Sequence, residues 1–122
     1  MRRDEFDFDR LREARGKLTR AFRELRKKNI RARANFMCCG GCASSAIDIK
    51  GKRGGVWWHQ QDDSGFREDG QLYIGFSTKD GKGSLAIGKD LAQSLKDQGL
   101  DVEWDGDSGT RVLVYAEGAR KK

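Results

Sequence analysis

The run LYIGFSTKDGKGSLAIGKDLAQSLKDQGLDVEW, residues 72–104, changes its hydrophobic period twice, and those changes decide the fold class. Leu72 to Thr78 reads as a strand, and Lys79 to Gly83 as a turn. From Ser84 to Gln98 the period lengthens to that of a helix, with Ile87, Leu91 and Leu95 on one face. Gly99 suits the left-handed position past the helix end, with Leu100 packing back. Val102-Glu103-Trp104 then resumes the strand pattern and pairs with Arg111 to Tyr115 in a hairpin across Asp105-Gly106-Asp107-Ser108-Gly109.

Working outward towards the N-terminus, Asp62 to Gly70 is acidic, Gly-bearing and poor in apolar residues, so it reads as an exposed connection. Val56-Trp57-Trp58-His59-Gln60 reads as a strand, and Gly51 to Gly55 as a loop. Cys38-Cys39-Gly40-Gly41-Cys42 makes a tight turn into a short helical segment, Ala43 to Ile49. Before it, Arg31 to Met37 alternates as a strand, with Ala32, Ala34 and Phe36 set against Arg31, Arg33 and Asn35. Phe8, Leu11, Leu18, Phe22 and Leu25, with Ala14 and Ala21, recur at intervals of three and four and mark an amphipathic helix over about Asp9–Lys28. The expected order is α-β-α-β-β-α-β-β, an α+β single domain with a mainly antiparallel sheet and helices packed on it. Residues 1–29 form the basic amphipathic helix, residues 30–116 the body, and residues 117–122 a frayed tail.

The chain has 122 residues, which suits one core, and Leu, Ile, Val and Phe total only 24 of them. Three Trp, two Tyr and a net charge of only +6 keep so polar a chain on the folded side of the boundary with disorder. No stretch approaches the roughly 18–20 apolar residues of a membrane span, and the charged N-terminus is unlike a signal peptide. These features point to a cytoplasmic protein and away from membrane proteins and disulfide scaffolds.

The charge is uneven. Residues 1–35 hold 13 Lys/Arg against 6 Asp/Glu, whereas residues 36–122 hold 12 against 13. A clustered positive field steers polyanions or acidic partners. On the helix, Arg12, Arg20, Arg23 and Lys27 fall away from the apolar stripe and form a basic outer face. Arg31 and Arg33 extend the candidate binding set.

Three cysteines within five residues invite three readings. Cys39 and Cys42, spaced as Cys-x-x-Cys, could hold zinc with His59 and either Cys38 or Asp62. They could close into a redox disulfide at a helix start, although the chain lacks the proline that thioredoxin-type sites place against it. Small, buried, soft thiols in a tight turn are the plainer reading. Elsewhere, Gly83 to Lys89 matches the spacing of a phosphate-binding loop, but Asp90 stands where magnesium coordination needs Ser or Thr, and the apolar Leu85-Ala86-Ile87 should face the core. The strand aromatics Trp57, Trp58, Tyr73, Phe76, Trp104 and Tyr115 could form a stacking platform, but a chain with so few aliphatics needs most of these rings as core.

Three segments together resemble a bacterial family of small cytosolic domains catalogued as a domain of unknown function. They are Phe36-Met37-Cys38-Cys39-Gly40-Gly41-Cys42-Ala43, Val56-Trp57-Trp58-His59-Gln60-Gln61-Asp62 and Gly99-Leu100-Asp101-Val102-Glu103-Trp104-Asp105-Gly106. The resemblance covers about residues 30–115. It implies that Cys38, Cys39, Cys42, His59, Gln61 and Asp62 act as one cluster, and it carries no activity over. Ala43-Ser44-Ser45-Ala46 departs from the acidic position expected after the third Cys, which weakens a carboxylate-assisted site. The expected function is a cytosolic binding or regulatory module, monomeric or weakly dimeric, that meets an acidic protein or a nucleic-acid backbone through its basic helix. The competing expectation is a zinc or thiol site on Cys39, Cys42 and His59.

Overall fold

The computed structural model describes residues 7–33, 51–78, 85–107 and 110–119. Helix α1 spans Phe8–Lys27 and strand β1 Ile30–Arg33; β2 is Gly54–Trp57, α2 Gln60–Asp69 and β3 Gln71–Ser77. Helix α3 follows at Leu85–Asp97, and β4 (Asp101–Glu103) and β5 (Val112–Tyr115) close the chain. The described order is therefore α-β-β-α-β-α-β-β. The helical segment expected over Ala43–Ile49, together with the cysteine turn, lies outside the described residues.

The five strands form one sheet in the order β1-β2-β3-β5-β4. Three of its four pairings are antiparallel, and β1 runs parallel to β2 with Ala32 opposite Val56. The sheet is thus mixed as well as mainly antiparallel. Strand alternation puts Ile30, Ala32, Val56, Leu72, Ile74, Phe76, Val112 and Val114 on one face, all of them buried in a single cluster with the apolar stripe of α1 and with Ile87, Leu91 and Leu95 of α3. Phe22 of α1 packs on Trp58 with ring centroids 5.1 Å apart. A Cβ on Gly54 would meet Ile87 at 2.9 Å, so α3 rides directly on β2. The helices therefore cover this face, and Arg31, Arg33, Trp57, Tyr73, Leu113 and Glu103 alternate onto the other.

Local signals explain most of these elements. Asp7 caps α1 by accepting from the Asp9 and Arg10 backbone N–H groups. Past α3, the Leu100 N–H donates to the Leu95 carbonyl and the Gly99 N–H to that of Lys96, with Gly99 at φ +83°. This is the expected left-handed termination, with Leu100 buried. Ile87 faces the core as expected, but Leu85 and Ala86 are exposed. Past β5, the Ala119 N–H donates to the Ala116 carbonyl, and Ala119 is buried.

The main correction falls on the stretch Asp62 to Gly70, which composition marks as an exposed connection. Residues Gln60–Asp69 form a ten-residue helix there. His59 is its N-cap, Asp62 and Asp63 sit in its first turn, Arg67 lies in its last, and Gly70 closes it at φ +73°. Phe66, its only apolar side chain, is 0 % exposed and anchors it to the core. Among the described residues no helix is long and apolar enough to cross a membrane.

Candidate functional site

The reversal from α1 into β1 builds the most strongly charged feature. Asn29 adopts φ +66°, a conformation that Asn tolerates better than most residues, and its N–H donates to the Arg26 carbonyl. Its side chain donates to the Gly51 carbonyl at 3.2 Å, and its own carbonyl accepts from the Arg53 N–H at 2.8 Å. The turn therefore lays the last turn of α1 along the outer edge of β1. There Arg26 Nη2 donates to the Ala32 carbonyl at 2.9 Å, which satisfies an edge-strand acceptor and fixes the guanidinium.

A cleft of about 300 Å³ opens at this edge, lined by Arg26, Ile30, Arg31, Ala32, Arg33 and Lys52. Four of these six residues are cationic and none is a carboxylate. Among the described acids of the neighbouring helices, Glu24 pairs with Lys27 at 3.0 Å and Asp90 with Arg53 at 2.7 Å.

The six cations expected to bind a partner separate into two groups. Arg12, Arg20, Arg23 and Lys27 are exposed along α1. Arg12 pairs with Asp9 at 3.0 Å and lies over the Phe8 ring, while Arg20 Nε donates to Gln98 Oε1. Among the described residues Arg23 has no ion-pair partner. Arg31 and Arg33 belong to the face of the sheet opposite the helices, and only the cleft at the β1 edge joins them to a residue of α1. Arg26 and Lys52 complete that cleft. By sequence Arg26 is one more cation of the helix expected over about Asp9–Lys28, and Lys52 falls in the loop expected over Gly51 to Gly55.

His59 and Asp62 come together in a second place. The Asp62 backbone N–H donates to His59 Nδ1 at 3.3 Å, so the ring proton belongs on Nε2, which lies 3.0 Å from Asp62 Oδ2. Arg111 Nη1 donates to that same oxygen at 2.9 Å and lies 3.4 Å from His59 Nε2. Both side chains of the pair are buried, with Asp62 only 8 % exposed, whereas Arg111 is 46 % exposed. His59 is therefore a helix cap rather than the strand residue its neighbours suggest, and Asp62 is a buried ion-pair partner rather than a solvated loop residue. A metal bridging these two would have to displace the Arg111 guanidinium. Cys38, Cys39 and Cys42 lie outside the described residues. Among the described residues no group of three or more His, Cys, Asp or Glu is placed to hold a metal ion.

Most of the strand aromatics are core, as their scarcity of aliphatic company requires. Trp57, Trp58, Phe76 and Tyr115 are buried, and Trp104 is partly so. Tyr73 is the exception at 43 % exposure. The Arg111 guanidinium carbon sits 5.3 Å from its ring centroid.

Comparison with curated proteins finds no match, and comparison with solved structures finds none either. The family model described as Domain of unknown function (DUF6891) matches residues 3–121. That span covers nearly the whole chain, and the protein belongs to this family.

Proposed function

We propose that this protein is a non-catalytic, cytoplasmic binding module that grips the phosphate backbone of a nucleic acid. One observation carries the reading: a cleft lined by Arg26, Arg31, Arg33 and Lys52, with no carboxylate among the described residues that line it. Cations gathered around one small cleft concentrate a positive field there, and that field attracts an anion. Arg26 is already oriented by the Ala32 carbonyl and keeps further N–H donors for a phosphate oxygen. The exposed α1 cations, Arg23 above all, extend the positive field and guide the approach of the ligand.

Salt tests this directly. Four phosphate contacts give log K a slope of roughly −3 against log salt for a single strand, so affinity falls roughly fiftyfold between about 50 and 200 mM. Fluorescence anisotropy with a labelled oligonucleotide reads this slope. The double variant Arg31→Glu/Arg33→Glu is expected to flatten it by about 1.5, while Arg67→Glu, exposed on α2, leaves it near the wild-type value. Salt-insensitive binding, or none at low salt, sinks the reading. Polyglutamate binding as tightly as the oligonucleotide makes the partner an acidic protein and also overturns it.

A further inference from the structure

Arg111 and Tyr73 together form a second feature, one that the basic cleft does not use. They line a groove of about 310 Å³ with Glu103, Trp104, Asp105 and Thr110. That volume sits at the small end of the range for small-molecule sites, roughly 300–1,000 Å³. The Arg111 guanidinium is held on two sides, by the buried Asp62 carboxylate and by the Tyr73 ring. His59 in turn holds the Asp62 oxygen that Arg111 contacts. A guanidinium fixed in this way presents a flat, weakly hydrated surface on which a planar ring stacks with little loss of entropy.

The charges around the groove select what enters. Asp62 already compensates Arg111, while Glu103 and Asp105 line the β4 side. The Thr110 hydroxyl and the Asp107 N–H hold the Asp105 carboxyl below the usual carboxylate range, so it is anionic at neutral pH. A phosphate is repelled from such a rim. An exocyclic amino group is attracted to it, because a carboxylate is a charged acceptor with about four lone-pair sites. Cytosine N4 and adenine N6 are donors of this kind, whereas uracil presents a carbonyl oxygen at the corresponding position.

We infer that this groove takes one unstacked, amino-bearing nucleobase of a single-stranded nucleic acid, stacked on the Arg111–Tyr73 pair. The inference rests on the phosphate-backbone reading of the β1 cleft and deepens it, since a base in a duplex cannot reach the groove. Three strand spacings, about 14 Å in all, separate β1 from β5, a distance within reach of a short single strand.

The experiment compares oligo-C, oligo-A and oligo-U of equal length, and a duplex, against the full chain over the same salt series. Oligo-C and oligo-A are expected to bind about tenfold more tightly than oligo-U or the duplex. Tyr73→Ala should bring them down to the oligo-U level without changing the salt slope, and Tyr73→Phe should keep the preference. Equal binding of all four ligands with a normal salt slope overturns the inference and leaves the backbone reading standing. No binding of any ligand overturns both. Should Tyr73→Ala fail to fold, titration of the wild-type chain with free cytidine and uridine decides the matter. Cytidine should shift the Tyr73 ring and Arg111 Nε resonances while uridine does not, and identical responses to the two nucleosides count against the groove.

Discussion

His59 Nε2 lies 3.0 Å from Asp62 Oδ2 while His59 Nδ1 accepts the Asp62 backbone N–H, so one imidazole both caps α2 and holds its first-turn carboxylate. Replacing His59 by Ala removes both functions. Loss of a cap costs about 1 kcal/mol, and a buried carboxylate deprived of a partner costs about as much again. His59→Ala is therefore expected to lose about 2 kcal/mol in denaturant unfolding. His59→Asn restores the cap without reaching Oδ2 and should recover about half. Equal stability of the two variants would show that capping is not what His59 contributes.

Phe66 is the sole apolar anchor of α2 and is fully buried. Its removal by Phe66→Ala should cost about 3–5 kcal/mol, a large part of the 5–15 kcal/mol typical of a domain. Because α2 is otherwise polar, amide exchange over Gln60–Asp69 should lose protection before the sheet does. Uniform loss of protection across the chain would mean that α2 is integral to the cooperative core.

Elements whose signal is periodic were legible in the residues: α1 in its three-and-four spacing, α3 with its Gly99-Leu100 ending, and the hairpin around Asp105–Gly106. Helix α2 was not, because one apolar residue in ten leaves no periodicity and histidine is not among the usual N-caps. Parallel pairing of β1 with β2 is a long-range choice that alternation does not encode. The candidate site was half legible. Arg31 and Arg33 were marked by charge, but only the Asn29 reversal reveals that Arg26 and Lys52 join them and that Arg12, Arg20, Arg23 and Lys27 lie apart. Arg111 carried no signal, since its role depends on partners 49 and 52 residues away.

Two glycines within helices should respond in opposite directions. A Cβ on Gly88 would meet the Trp104 ring at 2.7 Å and Phe76 Cζ at 2.9 Å, both packed core rings. Gly88→Ala therefore overpacks the joint between α3 and the sheet, and the roughly 1 kcal/mol of helix propensity it gains does not offset about 1–3 kcal/mol of strain. A Cβ on Gly16 meets only the flexible end of Arg20 at 3.7 Å, an ordinary contact. Gly16→Ala should stabilise by up to about 1 kcal/mol and raise Tm by about 4 °C. Thermal melts of the two variants that move in the same direction would contradict this packing.

Asp105 makes the hairpin sensitive to acid. The Thr110 hydroxyl donates to its Oδ1 at 2.6 Å and the Asp107 N–H at 2.9 Å, and these bonds hold its folded pKa below the ordinary 3.8. A group whose pKa is lower when folded stabilises the fold fully above its unfolded value and loses that contribution as pH falls through the folded value. The β4–β5 hairpin should accordingly keep its stability down to about pH 4 and lose part of it below. Thr110→Val removes the hydroxyl, the main cause of that lowering, so the Asp105 carboxyl should titrate closer to 3.8. Carboxyl-detected NMR titration of wild type and variant reads both values. If Asp105 titrates identically in the two proteins, the hydroxyl is not what lowers it. Because the same carboxylate lines the Tyr73 groove, Thr110→Val should also weaken cytidine binding more in acid than at neutral pH, since the variant's carboxyl takes up its proton at a higher pH than the wild-type one.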